Sequence, residues 1–166
     1  MNRKPMNRLI NEALRRFSYR KCLMIAAFAY PALLAQAGEI PASEITVFEK
    51  TNVFALGQVG FVAHISEGEV RYRAIMQSDG ALATLTRILS SPTASPEARL
   101  YAACGIRQLS PADFYGLTQE LRNSGLSASV LRTDILKREP VNQLLNRIRA
   151  YGCAAPATMF PDTPQR

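Results

Sequence analysis

Residues 95–113 read SPEARLYAACGIRQLSPAD, and the two ends of this stretch carry the same device. Each end offers serine as a helix N-cap, proline at the first helical position, where no backbone amide is missed, and an acid near the positive end of the helix dipole. Two helices are therefore expected to start 15 residues apart, at Ser95-Pro96-Glu97 and at Ser110-Pro111-Ala112-Asp113. In the first, Ala98, Tyr101, Ala102, Gly105 and Leu109 form one stripe, while Leu100, Ala103, Cys104 and Ile106 cover most of the remainder. A helix apolar nearly all round belongs in the middle of a domain. Small Ala102 and Gly105 invite a close neighbour. In the second, Phe114, Leu117 and Leu121 make a one-sided stripe, which Asn123-Ser124-Gly125 stops.

Upstream, Ser78-Asp79 opens a helix whose Ala81, Leu85, Ile88 and Leu89 share one face and which ends at Ser90-Ser91-Pro92. Before it, Ser66-Glu67-Gly68-Glu69 has the form of a capping box. The Ser66 hydroxyl would accept the Glu69 amide while the Glu69 carboxylate returns to the Ser66 amide. A helix to about Gln77 follows; the rival is a strand, because Val70, Tyr72 and Ala74 alternate with charged residues, but Ile75 and Met76 break that alternation. Ile45–Phe48 and Val53–Leu56 are short β-branched and aromatic runs, expected as a small hairpin or two irregular extended pieces. Extended chain or loop continues through Gly57 and Gly60 to His64 and Ile65.

Downstream, Leu126 to Arg138 fits neither period and is read as a buried crossing segment or a short extended pair. The last helix opens near Glu139-Pro140, with Val141, Leu144, Leu145, Ile148 and Tyr151 on one face, Arg147 and Arg149 outside near its negative end, and Gly152 as its stop. The expected fold is mainly α: a small helical bundle of about five helices in antiparallel hairpins, with a short extended N-terminal section. The paired Ser-Pro caps resemble those of solenoid hairpins such as HEAT units. No full repeat recurs, so the resemblance stops at helix-turn-helix geometry.

The region ahead of the domain sets the address. From Cys22 to Gly38 no charge occurs, and Arg3, Lys4, Arg8, Arg15, Arg16, Arg20 and Lys21 precede it against the single acid Glu12. This basic and then apolar order, closing on Ala35-Gln36-Ala37, is that of a signal peptide with cleavage after Ala37. An uncleaved anchor is the alternative, but the apolar run is shorter than a span of about 20 residues and is interrupted by Pro31. The expected division is thus residues 1–37 as a cleaved signal, 38–153 as one helical domain, and 154–166 as a flexible proline-rich tail. The expected location is the periplasm.

The formal charge of +7 belongs mostly to that leader. Residues 1–37 hold seven of the 20 basic side chains and one of the 13 acids, which leaves 13 against 12, a net +1, for residues 38–166. Nothing electrostatic recommends nucleic acid as a partner. Of three cysteines, Cys22 departs with the leader. In an oxidising compartment Cys104 and Cys153 have only each other to pair with, a disulfide that the position of Cys153 just after the last helix favours. The alternative is that Cys104 is simply a small core residue.

Chemistry is sparse. The one histidine, His64, lies beside Ser66 and Glu67, but adjacency in sequence does not hold a nucleophile, a base and an orienting group in reach. Cys104 with His64 has the residue types for thiol catalysis, yet a buried, paired cysteine is inert. One histidine and two separated cysteines make no metal site. Glu67 and Glu69 point to different sides of a helix. Gly57 and Gly60 lack the lysine of a phosphate loop. Arg71, Arg73, Arg87, Arg99 and Arg107 read as solvated helix faces.

The expectation is therefore a non-enzymatic exported protein, without cofactor, that binds another protein in the periplasm. An immunity or inhibitor protein against a toxin or lytic enzyme acting there is the specific form. The alternatives are a small periplasmic hydrolase using His64, and a membrane-anchored assembly factor if the leader stays attached.

Overall fold

The computed structural model describes residues 38–153. The expected signal segment, its expected cleavage point after Ala37 and the proline-rich tail lie outside the described residues. Element order is α1 (Ala42–Glu49), β1 (Gln58–Val59), β2 (His64–Ile65), α2 (Glu67–Met76), α3 (Ala81–Ser90), α4 (Pro96–Leu109), α5 (Phe114–Leu117), α6 (Gln119–Asn123), β3 (Ser127–Arg132), β4 (Ile135–Pro140) and α7 (Val141–Tyr151).

Helix α4 is the axis on which the rest is assembled. The Ser95 hydroxyl accepts the Ala98 amide at 3.0 Å, Pro96 opens the helix, and every residue from Glu97 to Ile106 is buried. Tyr101, at its centre, meets three rings: Phe54 edge-on at 4.8 Å, Tyr72 stacked at 5.6 Å and Phe48 at 5.9 Å. Its neighbours α3 and α7 supply Leu85, Ile88, Leu144, Leu145 and Ile148 to the same core. A methyl group on Gly105 would lie 2.4 Å from Leu85 Cδ1 and 2.8 Å from Met76 Sδ, so this position sets how closely α2 and α3 approach the axis. Gly105→Leu is expected to cost about 3 kcal/mol by overpacking, measured as a drop in the urea midpoint. An unchanged midpoint would mean that the contact is loose.

The second Ser-Pro device behaves differently. Ser110 donates to the Asp113 carboxylate at 2.5 Å, the chain makes a turn, and the helical residues split into the short α5 and α6 at Thr118. Thr118 Oγ1 donates to the Phe114 carbonyl at 2.7 Å, a local bond that competes with helix continuation. Phe114 and Leu121 face the core, whereas Leu117 does not.

Two-stranded sheets replace part of the expected bundle. Five helices of eight residues or more stand among the described residues, but two shorter helices and two hairpins accompany them, so the domain is mixed and helix-rich. Residues 126–138 resolve into the extended pair: β3 and β4 are antiparallel, from Ser127 opposite Pro140 to Arg132 opposite Ile135. Phe54 adds a parallel bridge on the other side of β3, its amide donating to Ser129 at 2.8 Å and its carbonyl accepting from Leu131 at 3.0 Å. The run Val53–Leu56 is thus extended as read.

The run Ile45–Phe48 is not extended. It lies in α1, where Ile45 and Phe48, three apart, are buried together and Val47 faces water. Burial at a helical spacing overrides the β preference of Ile45, Thr46 and Val47. Helix α3 starts later than its Ser78-Asp79 signal, with Gly80 as its cap in the left-handed conformation and no side-chain bond. The α7 stripe is buried from Val141 to Ile148, while Tyr151 is exposed. Arg147 does not stand clear near the helix end; it turns back to bond Glu139, which also pairs with Arg132 at 2.8 Å. Cys104 and Cys153 sit at disulfide distance, with Cα atoms 5.6 Å apart across 49 residues.

Candidate functional site

The polar side chains nearest the centre hold backbone. Ser66 caps α2 as expected, accepting the Glu69 amide at 3.2 Å, but the Glu69 carboxylate does not return to Ser66. Instead Glu69, only 4% exposed, accepts the Gly57 amide at 2.7 Å and pairs with Arg73 at 2.6 Å. Gly57 has φ +76°, a conformation glycine adopts without cost. Tyr101 donates to the Ala55 carbonyl at 2.6 Å, accepts the Ala55 amide at 2.9 Å, and lies 3.2 Å from the Ser66 hydroxyl. Glu97, at the start of α4, accepts the Ser129 amide of β3 at 2.7 Å. These groups pin the extended segment 55–57 and β3 to the helices. A buried amide left without such a partner would be costly.

Burial has a measurable electrostatic result. Desolvation, assisted by the Glu69 charge and opposed by Arg73, pushes the Tyr72 phenol from 10.0 to about 12. Tyr101 is also raised, again chiefly by burial, against its hydrogen bonds to Ser66 and Ala55. Unfolded tyrosines ionise at about pH 10 while folded Tyr72 keeps its proton to about pH 12, so the stability contribution is complete below pH 10 and is lost as pH rises through that window. The thermal midpoint is expected to hold to about pH 10 and then fall. In Tyr72→Phe the fall is expected to be shallower, and an identical fall in both proteins would count against this burial.

The residues singled out from sequence do not assemble. His64 is exposed on β2, paired in register with Val59, and its ring lies against Gly60. Ser66 is engaged with Glu69, Ala55 and Tyr101, and Cys104 is buried beside Cys153. The arginines disperse. Arg71 pairs with Glu67 at 3.0 Å and Glu44 at 3.6 Å, and Arg107 donates to the Arg149 carbonyl at 3.1 Å. Arg99 is not on a solvated face: it is buried and donates to the Leu89 carbonyl at 2.7 Å. Among the described residues no group of three His, Cys, Asp or Glu is placed to hold a metal ion, and no helix is long and apolar enough to cross a membrane.

A groove of about 460 Å³ runs along α2 between Leu56, Tyr72, Met76 and Leu109, with Arg73 and Cys153 at its borders. Its acid, Glu69, already accepts from Gly57 and Arg73. It offers shape without a free reacting group.

The feature with no internal purpose lies at the two hairpin turns. Strands β1 and β2 are joined by Gly60-Phe61-Val62-Ala63, closed by the Ala63 amide donating to the Gly60 carbonyl at 3.0 Å. Strands β3 and β4 are joined by Thr133-Asp134. The two turns are bonded to each other, the Gly60 amide donating to the Thr133 carbonyl. Around this junction four apolar side chains face solvent: Phe61 at 103%, Val62 at 83%, Leu136 at 59% and Ile135 at 54% exposure. Each turn also holds a non-glycine residue at positive φ, Ala63 at +51° and Thr133 at +52°. Thr133 is β-branched, for which this region is a true outlier, and strain of this kind gathers at functional sites.

No family model, curated protein or solved structure matches the chain. The joined turns therefore rest on their own geometry. Sequence reasoning passed over them because the bond that unites them spans two segments far apart in the chain. The local signal was the pair Phe61-Val62, large apolar residues two places from any strand partner, flanked by Gly60 and Ala63.

Proposed function

We propose that the chain is an exported, non-catalytic protein that binds another protein in the periplasm, its specific form an immunity or inhibitor protein against a toxin or lytic enzyme acting there. The observation that carries this reading is the pair of bonded hairpin turns, with Phe61 and Val62 exposed on one and Ile135 and Leu136 exposed, on opposite faces of β4, just after the other. Apolar side chains gathered at one place on a surface mark an interaction site. Phe61 and Val62 stand on a turn in full solvent exposure, and side chains presented in this way suit the concave, mostly apolar sites of enzymes. An inhibitor works by filling such a site.

Two further features support it. The basic and then apolar leader supplies the address. The polar side chains nearest the centre, Ser66, Glu69, Glu97 and Tyr101, bond the protein's own backbone. The test is affinity capture of the protein from periplasmic extract of the cells that make it, beside His64→Ala. One stoichiometric partner retained by both proteins is the expected result. No stable partner, together with loss of biological effect in folded His64→Ala, would replace this reading with the hydrolase.

A further inference from the structure

The open edge of β4 continues the exposed apolar surface and gives it a chemistry. The sheet runs from the Phe54 bridge through β3 to β4, and β3 is paired on both sides. Among the described residues the backbone of β4 bonds only β3, so its other edge is open over a strand of six residues. An open edge of this length accepts an added strand, with backbone bonds for affinity and side chains for selectivity.

The side chains along the edge state what that strand must carry. Ile135, Leu136, Lys137 and Arg138 are all exposed. Successive residues of a strand point to opposite faces, so Ile135 and Lys137 share one face and Leu136 and Arg138 the other. Each face thus offers an apolar group next to a base. The complement is an apolar group next to an acid on each face, which is two adjacent acids beside two adjacent apolar residues. For an antiparallel arrival, the commoner pairing, the order from N to C is acid, acid, apolar, apolar.

A second copy of the chain pairs poorly: an axis at Leu136 leaves only Ile135 to Lys137 paired, because Thr133 and Asp134 form the turn, and an axis nearer the middle of the strand opposes like charges. Pairing β4 with its own antiparallel image about a two-fold axis between Lys137 and Arg138 faces these two bases with each other. Moving the axis onto Lys137 sets that residue against itself. Like charges opposite one another destabilise a strand pair. Glu139 offers no relief, since it is engaged by Arg132 and Arg147. We infer that β4 accepts an extended acidic segment of the partner protein as an added antiparallel strand, with its apolar end seated against Ile135, Leu136 and the neighbouring turn that carries Phe61 and Val62. This rests on the protein-binding reading above and narrows it to one edge and one charge.

The test is photo-cross-linking in the producing cells, using the full chain with a benzophenone side chain in place of Leu136 and, separately, of Val47, an exposed residue of α1. The expected result is a discrete adduct with another polypeptide at position 136, whose cross-linked peptide contains two adjacent acids followed by two apolar residues. Charge reversal by Lys137→Glu with Arg138→Glu is expected to lower the yield at least tenfold. Both residues are exposed, so circular dichroism should be unchanged, and Lys137→Ala with Arg138→Ala should give an intermediate yield. An adduct of twice the chain mass, a lipid adduct, a peptide without acids, or an undiminished yield on reversal would overturn the inference. An adduct at position 47 with none at 136 overturns this edge while the protein-binding reading stands. No adduct at either position overturns both.

Discussion

Tyr101→Ala is expected to leave no stably folded protein at 25 °C. Truncating a fully buried ring costs about 3–5 kcal/mol through lost burial and the cavity that remains. Here three further rings, Phe48, Phe54 and Tyr72, lose the surface on which they pack. The phenol also serves the amide and the carbonyl of Ala55, and leaving both unpaired adds roughly 1–3 kcal/mol for each group. The total approaches or exceeds the whole stability of an ordinary domain, about 5–15 kcal/mol. Tyr101→Phe separates the two effects, because it keeps the ring and removes only the hydroxyl; it is expected to fold and to lose about 2–6 kcal/mol in urea unfolding. A Tyr101→Phe protein as stable as the wild type would show that Ala55 is not held in this way.

The second large effect concerns Cys104 and Cys153. Closing a loop of 49 residues restricts the unfolded chain, and by the chain-entropy relation its opening costs about 4 kcal/mol. Cys153→Ala is expected to lower the urea midpoint accordingly, and thiol reductant should bring the wild type down to the same curve. Cys104 is buried in the central helix whereas Cys153 borders the groove, so Cys104→Ala also loses a little packing and should fall slightly further. Equal stability with and without reductant would mean that the two sulfurs are not joined.

Where the sequence could be read and where it could not follows from how far each signal reaches. Serine followed by proline at 95–96 marks a helix start through bonds within four residues, and that start stands where it was expected. Ser66 likewise caps α2, because its bond to the Glu69 amide is equally local. The Glu69 carboxylate departs from the local pattern because a distant amide, that of Gly57, competes for it, whereas Glu97 stands in the first turn of α4 as expected and accepts the distant Ser129 amide as well. The β3–β4 hairpin was half visible. Its turn is Thr133-Asp134 where Asn-Gly would have announced it, and its buried face rests on Ala128 and Val130, too little apolar bulk to mark a period of two. The reverse error occurred at Ile45–Phe48, where a strong β composition concealed a helix whose two core residues are three apart. The proposed binding surface was the least legible part, since a single backbone bond between Gly60 and Thr133 brings two turns together and no local pattern encodes it.

The most direct check on the central claim is a comparison of partner capture by wild type and by Phe61→Asp combined with Val62→Asp, using full chains with matched thermal midpoints. Both side chains lie in solvent, so the substitutions should leave the fold intact. The account predicts that the partner retained in stoichiometric amount by the wild type is absent from the variant. Equal recovery by both proteins would contradict it.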